Sequence, residues 1–145
     1  MSTTTHATIQ VVAGALYDAR GRVLITQRPP GKALAGRWEF PGGKLHADEA
    51  AYDGLVRELR EELGVEVRAA ERLMRYPVTS QDRQVWLDMW IVTSWSGNVA
   101  GLEGQAWKWV APVALPGEDI LEADQPIVDA LVTRPAPRIA MTAAR

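Results

Sequence analysis

Residues Thr8 to Leu16 are rich in Val, Ile and Ala, and Arg22 to Gln27 carry a second run of this kind. Both predict β-strands. Between them, Asp18-Ala19-Arg20-Gly21 has hairpin-loop chemistry, with Gly21 free to take positive φ. Arg28 to Arg37 holds two prolines and two glycines and predicts a loop. Trp38-Glu39-Phe40 is short and extended, and Pro41-Gly42-Gly43 predicts a turn. The clearest helix follows. Ala51, Leu55, Leu59 and Leu63 recur at helical spacing, with Val56 widening the stripe. Asp48 is a natural N-cap, Glu49 suits the first turn, and Gly64 is a natural stop, which sets the helix at Glu49 to Leu63.

Further strands are predicted at Val65–Arg68, Arg72–Tyr76, Val85–Thr93 and Trp107–Val110. In the third of these, Val85, Leu87, Met89 and Ile91 share one face, and Trp86, Asp88 and Trp90 share the other. Asp124-Gln125-Pro126 begins a second helix, with proline in the first turn where its missing N–H is harmless. The result is an α/β fold, a mixed sheet sandwiched between helices. Residues 1–7 and 134–145 have no clear period and are expected to be mobile tails.

The chain of 145 residues fits one domain, and 47% hydrophobic residues is the composition of a folded protein. A formal net charge of -2 argues against broad electrostatic capture of nucleic acid, yet permits a small anionic substrate held by a few cations. With no cysteine, disulfides, thiolate metal sites and cysteine nucleophiles are excluded. The N-terminus lacks the basic and apolar regions of a secretory signal, and no apolar run is long enough to span a bilayer. The expectation is a cytoplasmic protein, monomeric or homodimeric, with no membrane or stable nucleic-acid partner.

Glu58, Glu61 and Glu62 stand at i, i+3 and i+4, so three carboxylates share one helical face opposite the leucines. Like charges at this spacing cost the bare helix a few tenths of a kcal/mol, roughly. A hard dication such as Mg²⁺ or Mn²⁺ would reverse that sign. RELREEL taken alone is equally an ordinary solvated face, with Arg57 and Glu61 as a surface ion pair.

The whole segment from Gly42 to Val65, GGKLHADEAAYDGLVRELREELGV, is far more specific. Gly43, Glu49, Arg57-Glu58, Leu59, Glu61-Glu62, Gly64 and Val65 match the Nudix box at every specified position. The chain therefore resembles the Nudix hydrolase superfamily. TQRPPGKALAGRWEFPGGK before the box, and LEGQAWKWV and ADQPIVDAL after it, resemble the MutT-type branch.

That resemblance implies a metal site of Glu58, Glu61, Glu62, Glu103 and the Gly42 carbonyl, filled by Mg²⁺ or by Mn²⁺ in its place. It implies catalytic roles for Glu58 and Glu103, supported by Glu49 and Arg57. It places Arg28 and Lys44 on the triphosphate, and Phe40, Arg83 and Asp124 around the nucleoside. The expected reaction hydrolyses a nucleoside triphosphate to the monophosphate and pyrophosphate. The expected substrate is 8-oxo-dGTP or a related oxidised purine nucleotide; CTP or a modified dCTP is the alternative, and a non-catalytic nucleotide-binding domain is a third reading. Asp124 departs from the MutT-type pattern, which has asparagine there, so an acceptor-only carboxylate replaces an amide. Trp109, close to Glu103 in sequence, is a further expected wall of the base pocket.

Overall fold

The computed structural model describes residues 8–80, 83–135 and 137. The expected tails, 1–7 and 134–145, lie outside these except for residues 134, 135 and 137. Seven strands and two α-helices follow in the order β1 (Ile9–Leu16), β2 (Val23–Gln27), β3 (Trp38–Glu39), β4 (Gly42–Lys44), α1 (Ala51–Leu63), β5 (Glu66–Ser80), β6 (Arg83–Ser96), β7 (Trp107–Val110) and α2 (Gln125–Thr133). A 3-10 segment, Pro112–Gly117, and a single 3-10 turn, Glu122–Asp124, lead into α2.

The strands form two sheets. One is four-stranded and mixed, ordered β4-β1-β6-β5, with β1 parallel to β6. The other is three-stranded and antiparallel, ordered β3-β2-β7. Alternation along the strands divides the core between the helices. Val12, Leu16, Leu24 and Val92 pack with Leu55, Leu59 and Leu63 of α1. Ala13, Ala15, Ile25, Leu87, Met89 and Ile91 point the other way, toward Ile127, Val128 and Leu131 of α2. This is the helix–sheet–helix sandwich expected from the sequence, with a period of two in the strands selecting the side. Gly14 lets α1 approach closely, since a Cβ there would lie 2.9 Å from Leu55 Cδ1. No helix among the described residues is long and apolar enough to cross a membrane.

Local expectations failed in three places. Pro41-Gly42-Gly43 is not simply a turn, because Gly42–Lys44 pairs antiparallel with β1. Glycine is required at 42 because a Cβ would stand 2.0 Å from the Val12 carbonyl oxygen. The two strands expected between Val65 and Tyr76 are one, β5, whose register shifts at Val67/Ala69, Ala69/Ala70 and Arg72/Met74. Such bulges break the period-two signal without ending the strand. Finally, Asp48 does not cap α1. It sits at φ 63 in a left-handed turn, and the cap position falls to Ala50, which makes no side-chain cap bond. Gly64 does end the helix, at φ 72, with its N–H bonded to the Arg60 carbonyl.

Candidate active site

The leucine stripe pins α1 to the sheet and turns Arg57, Glu58, Glu61 and Glu62 away from the core. Arg57 organises this face. Its guanidinium grips both oxygens of Glu49 at 2.7 and 2.9 Å, and reaches Glu58 at 2.9 Å and Glu61 at 3.1 Å. It also donates to the Lys44 carbonyl at 3.1 Å, tying the loop before the helix to the helix itself. These hydrogen bonds from Arg57, with one from the His46 N–H, hold the Glu49 carboxyl down at about 2. Glu49 is therefore a fixed anion at neutral pH, and Arg57 is pushed further from neutrality by the same contacts. The planar fork of arginine suits this role, since one lysine amine cannot span these acceptors.

Glu58 lies against Gly43, where a Cβ would stand 2.5 Å from its Oε1. Glycine thus opens the space that the Glu58 carboxylate fills. Beyond it, Glu62 is largely shielded from solvent. Its carboxyl is pushed up to about 9, by burial most of all, then by its hydrogen bond with Glu58 and by the charges of Glu58 and Glu103; a backbone hydrogen bond from Gly42 pulls it down. Glu58 and Glu62 thus share one partly dry region, with the charge of Glu103 felt from its exposed loop.

Among the described residues, no group of three or more acidic or histidine side chains is already drawn together as an ion cage. Glu61 is half-exposed and turned toward Arg57, and Glu103 stands exposed on its loop. The donor set nonetheless fits a hard cation. It offers oxygen atoms only, and both the burial that chiefly raises Glu62 and the nearby acidic charges that add to it are what a dication would offset.

A cavity of about 580 Å³ opens beside this cluster, a size suited to a nucleotide. Its walls include Gly42, Lys44, Glu62 and Glu103 together with Phe40, Asp124, Arg28 and Arg83. The structure therefore brings together eight of the residues singled out from sequence. Glu49, Arg57, Glu58 and Glu61 do not line it, but Glu58 meets Glu62 and Arg57 bonds the Lys44 carbonyl, so this face of α1 adjoins the cavity.

Another part of the cavity wall is built around Asp124. Only 6% exposed, its Oδ2 accepts the Phe40 N–H at 3.1 Å. Asp124 thus stands at the start of α2 without capping it by a side-chain bond. Burial pushes its carboxyl up to about 7, against the Phe40 hydrogen bond; Glu39 adds to the rise and Arg28 opposes it. Tyr76 donates to the Ala123 carbonyl at 2.7 Å and fixes the segment carrying Asp124. Arg28 is partly committed, to Glu39 at 3.2 Å and to the Ala33 carbonyl at 3.2 Å.

The polar cavity residues that were not anticipated include Thr26, Gln27, Lys32, Glu39 and Gln105. Alternation gave a signal for Glu39, since Phe40 faces the core and its neighbour must face away. Trp109 is a correction. It stacks on Trp95 at 6.3 Å between ring centroids and packs on the α1 side of the core, not on the cavity.

Comparison with known proteins agrees with this geometry. A NUDIX domain family model matches residues 8–131. The CTP pyrophosphohydrolase of Escherichia coli K12 is 37% identical over 130 residues, covering 90% of this chain and 96% of that protein. The 8-oxo-dGTP diphosphatase of the same strain is 31% identical over 120 residues, covering 83% and 93%. The solution structure of the E. coli ORF135 protein superposes with a TM-score of 0.79 at 35% identity, covering 90% of this chain and 92% of that one.

Proposed function

The chain belongs to the Nudix family and is a Nudix hydrolase, and from that premise we propose that it is a magnesium-dependent pyrophosphohydrolase whose preferred substrate is 8-oxo-dGTP or a related oxidised purine nucleotide. The observation that carries this reading is one cavity lined by Glu62 and Glu103 and also by a buried Asp124 whose carboxyl is held up at about 7.

Glu58, Glu61, Glu62, Glu103 and the Gly42 carbonyl would hold the metal. Bound there, magnesium would neutralise phosphate charge and acidify water. Arg57 and Glu49 keep the carboxylate face and the Gly42–Lys44 strand in one fixed relation. Lys44, Arg28 and Arg83 supply positive charge along the cavity toward the phosphates. Glu58 or Glu103 takes the proton of the attacking water. The new bond forms at the β-phosphorus, its bond to the bridging oxygen breaks, and monophosphate leaves with pyrophosphate as the second product. Attack at the α-phosphorus would give the same products.

Asp124 decides the base. A neutral carboxyl carries one donor and one acceptor, as an amide does. That pair matches O6 together with the N7–H that oxidation at C8 gives guanine. The ionised form only accepts, and matches the exocyclic amine of cytosine or, equally, the N1–H and exocyclic amine that oxidised and normal guanine share. With its carboxyl at about 7, Asp124 populates both forms near neutrality. The second reading, CTP or a modified dCTP, rests on the ionised form and on the likeness to a CTP pyrophosphohydrolase.

The test is pyrophosphate release from oxidised, methylated and normal nucleotides, with and without Mg²⁺, at pH 6 and pH 8. We expect Mg²⁺-dependent turnover with kcat/KM highest for 8-oxo-dGTP, and a ratio over unoxidised dGTP that falls toward pH 8. A preference for CTP at both pH values would give the site to the pyrimidine reading. Nucleotide binding without any hydrolysis would sink both.

A further inference from the structure

The last carbonyls of a helix have no intrahelical partner and must be satisfied from outside. At the end of α1 they are satisfied by the loop that carries Glu103. Ala100 donates its N–H to the Leu63 carbonyl at 3.0 Å, and Leu102 donates to the Glu62 carbonyl at 3.0 Å. Gly104 closes a tight turn by donating to the Gly101 carbonyl at 3.1 Å. Gln105 completes the arrangement with its side chain. Its Nε2 donates to the Glu62 carbonyl at 3.1 Å, and its Oε1 accepts the Glu103 N–H at 2.9 Å. One amide therefore touches the backbone of both Glu62 and Glu103. Gly101 makes room for it, since a Cβ there would lie 2.3 Å from the Gln105 carbonyl oxygen and 3.4 Å from its Oε1.

We infer that Gln105 is a positioning residue, a clamp that fixes the Glu103 loop to the C-terminal turn of α1 and so sets Glu103 beside Glu62. Neither carboxylate is touched by the clamp; only their backbones are. Without it, the loop retains the Leu102 and Ala100 bonds, so the fold survives while Glu103 loses its register. The catalytic consequence rests on the metal-site reading of Glu103 given above; the clamp itself does not. An amide is required, because it must donate to one backbone and accept from the other.

The test replaces Gln105 by the nearly isosteric methionine. In the metal-free protein, hydrogen exchange at the Glu103 amide should quicken about tenfold or more, since local opening controls exchange there. Exchange in the α1 interior and the melting temperature should not move. In the Mg²⁺-loaded enzyme, kcat should fall about 10- to 100-fold, as is usual when a group supporting a metal site is lost, with KM for the nucleotide within about twofold. In a Glu103→Gln background the same change should add almost nothing, because the clamp acts only through Glu103. Unchanged exchange at Glu103, or an undiminished kcat loss in the Glu103→Gln background, overturns the inference while leaving the metal-site reading intact. Normal turnover of Glu103→Gln itself would overturn that reading, and the catalytic role of the clamp with it.

Discussion

Asp124→Asn isolates the titration of one buried group. Burial holds the Asp124 carboxyl at about 7, against an ordinary value of 3.8. Each pH unit of that displacement is worth about 1.4 kcal/mol, so ionising Asp124 in the folded protein costs roughly 4 kcal/mol. The folded state keeps this proton after the unfolded chain has lost it. Asp124 therefore weakens the fold progressively as pH rises from about 4 to about 7, and no further above that. Asparagine keeps the acceptor for the Phe40 N–H but never ionises. The stability gap between Asp124→Asn and the parent should thus widen by about 3 kcal/mol between pH 5 and pH 7, and then level off. Urea unfolding followed by tryptophan fluorescence at pH 5, 6, 7 and 8 measures it. With an m value of about 2 kcal/mol/M, the midpoints should separate by a further 1.5 M, roughly. Glu39 and the other carboxylates titrate in both proteins and cancel in the difference to first order. A gap that stays constant across this range would refute the reasoning. In the same variant, the preference for 8-oxo-dGTP over dGTP should lose its dependence on pH, because the donor–acceptor pair is permanent.

The other predictions concern the carboxylate face. Glu58→Gln should lower kcat by about 10²- to 10⁴-fold with an unchanged circular dichroism spectrum, and a folded variant with normal turnover would remove Glu58 from the mechanism. Arg57→Lys leaves one amine where a fork now reaches Glu49, Glu58, Glu61 and the Lys44 carbonyl, so Mn²⁺ affinity by calorimetry should weaken about 10- to 100-fold. Gly43→Ala sets a methyl 2.5 Å from the Glu58 Oε1 and must displace that carboxylate; steady-state kinetics should show kcat falling more than the nucleotide KM rises.

Much of this architecture can be read from local pattern, and the failures share a cause. The α1 stripe is legible because Leu55, Leu59 and Leu63 all answer to one surface, the sheet beneath. The division of β1 and β6 between two helices is legible because each strand alternates cleanly. Strand β4 is not, because glycines advertise a turn while the reason for Gly42 is a neighbour about thirty residues earlier, the Val12 carbonyl. Asp48 has the right chemistry for a cap, but the Glu49 side chain beside it is already committed to the His46 N–H and to Arg57, and the chain passes the cap position in a left-handed turn. The metal-facing glutamates follow from spacing on a single helix. Asp124 and Phe40 could be placed at the nucleoside only through resemblance, since their contact spans 84 residues. Trp109 was misplaced because nearness to Glu103 in sequence says nothing about which face of β7 it occupies. Its partner across the strands is Leu24, which faces α1.

One helix does two opposed jobs here, and that explains the supports around it. A carboxylate face built to take a dication is less stable without one, and burial together with the neighbouring acids raises the Glu62 carboxyl here. The leucine face supplies the offset, because burying each such side chain stabilises the fold by about 1.5–3 kcal/mol, well above the few tenths lost to a like-charge pair on the surface. That surplus fixes where the helix lies, but not how its carboxylates point. Pointing is assigned to polar groups outside the stripe: Arg57 for Glu58 and Glu61, the glycines of β4 for the space they enter, and the loop bonded to the helix end for Glu103. Stability and aim thus reside in different residues. Substitutions in the leucine face should change unfolding and turnover together. Substitutions among the polar supports should change turnover with little effect on the melting curve.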